Sequence, residues 1–140
     1  MVRMMKILMT SFALVASFTV AMAASSHYAR DEFMSVADAE KKWGKATFDV
    51  EKFKKGNESV RASMAVSLVT SKRFVGKSLK SVEAELGPGN GYYVNDGIPA
   101  YIITPEQPKG KRGDVWQIVF LPDKDWKKID DVKIHKNCCY

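Results

Sequence analysis

The sequence predicts an α+β domain with N-terminal helices packed on one face of a three- to four-stranded antiparallel β-meander. Three observations lead there. Apolar residues recur at helical spacing in stretches between Ser35 and Leu86. Past Gly89 that spacing ends, and the turn signals "GNG" and "NDG" begin to divide short β-prone runs. The clearest run, "DVWQIVFL", alternates Val115, Gln117 and Val119 with the bulkier Trp116, Ile118 and Phe120. The bulkier set is expected to face the helices.

The first helix spans Ser35 to Trp43. Ser35 is its cap, Asp38 stands in capping-box position, and Val36, Ala39 and Trp43 share a face until Gly44 stops it. An irregular connection follows, anchored by Phe48 and Phe53. Asn57 caps the next helix, "ESVRASMAVSLVTSK", with Val60, Met64 and Leu68 four apart and Ala65 and Val69 widening the stripe. In "FVGKSLKSVEAELGPG", Gly76-Lys77-Ser78 has the look of a phosphate-loop ending. That loop needs a glycine five residues before Gly76 and a strand ahead of it. Ser71 holds the first position and a helix the second, so Ser78 is read as an N-cap. Leu79, Val82 and Leu86 then line one side of a short helix that Gly87 and Pro88 end. Beyond it, Tyr92-Tyr93-Val94 is β-prone and "AYIIT" reads as a strand. "PEQPKGKRGD" reads as a polar hairpin loop. "PDKDW" turns the chain into a last strand, Ile129 to His135, with Val132 and Ile134 inward.

The 140-residue chain opens with basic Arg3 and Lys6, an apolar run Ile7–Val20 and the small-x-small triplet Ala21-Met22-Ala23. That order is a secretory signal peptide, and the run is short of the about 20 residues of a bilayer span. The expectation is cleavage near Ala23 and a periplasmic or secreted mature chain with no transmembrane segment. Residues 24–56 would carry the first helix and connection, and 57–140 the main α+β part, with 24–140 as one folding unit. The chain carries +6; removing Arg3 and Lys6 leaves +4, spread among acids as on a solvated surface. Nucleic acid is not expected as a partner.

Taken together, "FDVEKFKKGNESVRASMAVSLV", "FVGKSLKSVEAELGPG", the strand with Tyr101-Ile102-Ile103 and "WQIVFLPD" resemble small exported bacterial proteins of the SmpA/OmlA type. The best-known members, BamE proteins, are accessory components of the outer-membrane β-barrel assembly machine. The matching positions are Arg61, Met64, Leu68, Gly76, Ser78, Val82, Leu86, Gly87, Gly89 and the strand Trp116–Phe120, over about two thirds of the mature chain. They are caps, stops and core positions, so the resemblance implies architecture. BamE proteins are lipid-anchored, and no cysteine near the expected cut provides for that. The fold also resembles each half of the β-lactamase-inhibitory proteins, which bind and block an enzyme.

Candidate chemistry is sparse. Cys138 and Cys139 are adjacent, about 3.8 Å apart at Cα, whereas disulfides prefer roughly 4.4–6.8 Å. A strained vicinal bridge, an intermolecular bridge giving disulfide-linked self-association, and free or mixed thiols all stay open. His135 near Cys138 invites a metal reading, but "HKNCC" matches no standard spacing and a further ligand would have to come from His27 or elsewhere. His135 is read as a surface histidine at a strand end, with no metal and no cofactor expected. Asp123, Asp125, Asp130 and Asp131 read as a solvated face. No nucleophile motif assembles, so catalysis is not expected. Tyr92, Tyr93 and Tyr101 are candidate interface aromatics, with core plugs as the alternative. The expectation is a non-enzymatic exported protein that binds an envelope or secreted protein, in outer-membrane assembly or integrity. The alternative is a secreted inhibitor or effector that masks a target enzyme.

Overall fold

The computed structural model describes residues 32–104 and 115–137. The expected signal peptide (1–23), His27, the whole polar hairpin loop (105–114), and Cys138, Cys139 and Tyr140 lie outside the described residues. Among the described residues there are four helices: α1 (Val36–Trp43), α2 (Val50–Lys55), α3 (Glu58–Ser71) and α4 (Leu79–Leu86). Four strands, β1 (Phe33–Met34), β2 (Ala100–Ile102), β3 (Val115–Pro122) and β4 (Ile129–Asn137), form one antiparallel sheet in the order β1-β4-β3-β2. This is the expected α+β architecture.

Local chemistry sets the helix ends. Ser35 Oγ accepts from Asp38 N–H at 3.1 Å, Asn57 Oδ1 from Val60 N–H at 3.1 Å, and Ser78 Oγ from Ser81 N–H at 3.2 Å. Each satisfies an otherwise orphaned amide for about 1 kcal/mol. Gly87 ends α4 at φ 83°, where a side chain would be strained, and donates its N–H to Glu83 O at 2.8 Å. The expected irregular connection contains a helix. Asp49 starts α2 by accepting from Lys52 N–H at 2.8 Å, and Phe53 is its buried residue.

Helix α3 packs against α1 and α2 and also against β4. It therefore buries Ala62, Met64, Ala65, Val66, Leu68 and Val69, more of its circumference than one stripe. Val60 and Val36, both expected on buried faces, stay exposed in the first turns of their helices. The core is organised by five rings in a closed circuit. Phe48, Phe53, Tyr101, Phe120 and Phe74 meet their neighbours edge to face, with centroids 5.4–6.2 Å apart. Such contacts contribute roughly 0.5–1.5 kcal/mol each beyond burial.

The last three strands form the expected meander, but the fourth strand comes from elsewhere. Phe33–Met34 pairs with His135 and Ile134 on the free edge of β4. Tyr92–Val94, read as β-prone, forms no strand and makes only an isolated bridge between Tyr93 and Asn95. In β4 the register slips so that Leu121 faces Asp131 while Pro122 faces Ile129. That bulge skips Asp130, and it lets Ile129 as well as Val132 and Ile134 reach the core.

Candidate binding surface

The meander has two faces, and the second is also covered. Trp116, Ile118 and Phe120 point to the helices as expected, yet Gln117 and Val119 on the opposite side are fully buried. The segment from Gly89 to Pro99 lies over them. Tyr92 N–H donates to Gln117 Oε1 at 3.0 Å, and Gln117 Nε2 donates to the Tyr92 carbonyl at 2.6 Å. A Cβ on Gly91 would collide with Gln117 Oε1, so a side chain there would push the Gln117 amide away from Tyr92. Gln117 Nε2 also lies 3.2 Å from His135 Nδ1. The His135 ring packs against Tyr93 at 4.7 Å and Phe33 at 5.4 Å. His135 is thus no surface histidine: it is 5% exposed, because the covering segment and β1 close over it.

The same segment seals one edge of the sheet. Gly91 N–H donates to Ala100 O at 2.9 Å and Ile102 N–H to Asn90 Oδ1 at 2.9 Å. On the other edge, β1 is followed by Asp131 Oδ1 accepting from Val132 N–H and by a reciprocal pair linking Ile129 with Gly76 and Lys77. These caps close the outer edge of β2 and the part of β4 that β1 leaves uncovered, and so argue against strand addition there, which needs an open ladder.

What the covering segment displays is a tight turn. Asn95 N–H donates to Tyr93 O at 2.6 Å, across Val94 at φ 61°. This is a γ-turn of the rarer, strained hand, with a β-branched residue at its centre. Val94 is 64% exposed, and the adjacent Tyr92 is 43% exposed with its hydroxyl donating to Val94 O at 2.7 Å. Asn95 braces the other side, its Oδ1 accepting from Gly97 N–H at 2.8 Å. Strained, over-determined backbone of this kind clusters at functional sites.

A second displayed residue is Trp126, at φ 57° and 49% exposed. Asp123 fixes its turn: Oδ1 accepts from Lys127 N–H at 2.9 Å and Lys128 N–H at 3.3 Å, while Trp126 N–H donates to Asp123 O at 3.0 Å. Those backbone donors, Lys127 foremost, hold the Asp123 carboxyl below its ordinary value. Trp126 borders a groove of about 440 Å³ between the start of α4, the 96–99 turn and its own turn.

Of the tyrosines singled out by sequence, Tyr92 is exposed and Tyr93 is half-buried as a clamp on His135. Tyr101 is a core residue and not an interface aromatic. It is 0% exposed within the ring circuit, and its hydroxyl donates to Gly87 O at 2.7 Å. Burial, with some help from Glu83, pushes that hydroxyl above its ordinary value; no partner can reach it. The four aspartates do not act as one group: Asp123 ties a turn, and Asp131 pairs with Lys72 at 3.0 Å and Lys133 at 3.8 Å. Among the described residues no three His, Cys, Asp or Glu side chains gather as a metal site, and no helix is long and apolar enough to cross a membrane. Val94, Trp126 and Gln117 carry the surface and were not anticipated as site residues; only the "NDG" turn signal hinted at the first. Set against protein-family models, curated proteins and solved structures, the chain matches none.

Proposed function

We propose that this chain is an exported, non-enzymatic cell-envelope protein that works by gripping another protein through the Tyr92–Val94 shoulder. The observation that carries the reading is Val94. A β-branched side chain at the apex of a strained turn is held out into solvent by bonds on both sides. The groups presented there are apolar and aromatic, suited to contact rather than to bond making. The basic-apolar-small leader supports export. The resemblance to SmpA/OmlA-type proteins supports an accessory role in outer-membrane assembly or integrity.

The test is a photo-crosslinking amino acid placed at position 94, with position 54 on exposed α2 as control, in cells that export the protein. The reading expects one major adduct from position 94 and none from 54. An outer-membrane assembly component in that adduct supports the accessory role, and a single soluble enzyme supports an inhibitor. Equal labelling from both positions would overturn the shoulder as the contact.

A further inference from the structure

We propose that the groove beside Trp126 is a binding site for a neutral saccharide. It lies apart from the protein-binding shoulder, since neither Tyr92 nor Val94 lines it. Its volume of about 440 Å³ falls within the range of small-ligand sites, roughly 300–1,000 Å³.

The argument begins with the indole. Trp126 sits in left-handed backbone, which a bulky residue rarely adopts. Four hydrogen bonds between Asp123 and residues 126–128 hold it there. The turn is anchored to the fold in turn, because Lys128 bridges to Ser78 at the start of α4. A half-exposed indole on a fixed turn is a flat apolar platform that loses little freedom when a ligand settles on it. Pro99 adds a second apolar wall.

The polar lining selects the ligand. Lys80 and Lys127 stand with Glu83 and Asp96, two cations with two anions, so the lining is formally neutral. An anionic ligand would be drawn by one pair and repelled by the other, and a cationic one likewise. A carboxylate only accepts hydrogen bonds and an ammonium only donates them. One ligand group that serves both is a hydroxyl, and a pyranose carries a rim of hydroxyls around an apolar C–H face that can lie on the indole. A peptide meets the donor and acceptor requirement through its amides. However, the outer edge of β2 and the part of β4 beyond β1 are capped against strand pairing, and the groove offers one aromatic wall where polyproline recognition uses several.

The test titrates purified protein with neutral tetrasaccharides of N-acetylglucosamine, glucose and mannose, and with tetraproline, up to ~10 mM, beyond the weak end of specific recognition. Binding is read by calorimetry and by the indole NMR signals. One saccharide family is expected to bind and to shift the Trp126 indole, with affinity unchanged between low and high salt. Trp126→Gly is expected to weaken it about tenfold or more while staying folded, because glycine suits the positive φ. Asp96→Asn is expected to weaken it several-fold, and Val94→Gly to leave it unchanged, which separates this site from the shoulder. Absence of saccharide binding, binding indifferent to Trp126→Gly, or preference for tetraproline would each overturn the proposal.

Discussion

Gln117 and Tyr92 exchange two hydrogen bonds, side-chain amide against backbone, at 3.0 and 2.6 Å. The amide imitates the reciprocal pairing of a strand neighbour. A segment with no ladder of its own is thereby fastened to the outer face of the sheet.

Replacing that amide tests the fastening. Gln117→Leu leaves the Tyr92 N–H and C=O without their partner on a buried side chain and is expected to cost about 1–3 kcal/mol. Denaturant unfolding gives the loss. Amide exchange at Tyr92 and Gly91 should accelerate more than in β3, which shows that the cover loosens before the sheet does.

Gly91→Ala approaches the same contact from the other side. The added methyl meets Gln117 Oε1, with Ala100 Cβ 3.0 Å away, and overpacking of this kind costs roughly 1–3 kcal/mol. If the double variant with Gln117→Ala is no worse than Gln117→Ala alone, the clash is confirmed as the cause.

Tyr101→Phe separates core from interface. It removes only the hydrogen bond to Gly87 O and keeps the ring circuit, so stability is expected to fall by about 1 kcal/mol. Adduct yield from position 94 should not change.

Acid stability follows from Glu85 and Asp131. Glu85 is partly buried, which opposes ionisation. Bonds from Arg73 and from Lys77 at 3.1 Å outweigh that and hold its carboxyl below the ordinary value of 4.5. For Asp131, burial again opposes ionisation, and Lys72 and the Val132 amide outweigh it. A carboxyl depressed in the folded state contributes fully above its unfolded value. The contribution is lost as pH falls through the folded one. Unfolding measured from pH 6 downward should therefore show stability declining below the ordinary carboxyl values. Glu85→Gln should flatten that decline and cost roughly 0.5–1 kcal/mol at neutral pH, as its partners are well exposed.

The caps and stops at Ser35, Asn57, Ser78, Gly44 and Gly87 were legible because each acts within three or four residues of itself. Helix α2 was legible in principle, since Asp49 is a good cap, but six residues with one buried phenylalanine give little periodicity. The shoulder was not. Tyr-Tyr-Val has strand propensity, and what overrides it is Gln117, 25 residues away from Tyr92. Nor does a valine or tryptophan announce a positive φ; the surrounding bonds impose it. His135 was misjudged for the same reason, because the residues that bury it come from Phe33 and Tyr93.

The central claim is that Val94 is held at strained backbone in order to be displayed. The most direct measurement is the unfolding free energy of Val94→Gly. Relief of the positive-φ strain is worth about 1–3 kcal/mol, and glycine's greater unfolded-state freedom offsets about 0.4–1 of it. The account predicts a variant more stable than the parent by about 1 kcal/mol. A variant less stable than the parent would show that Val94 serves the fold, and would contradict the claim.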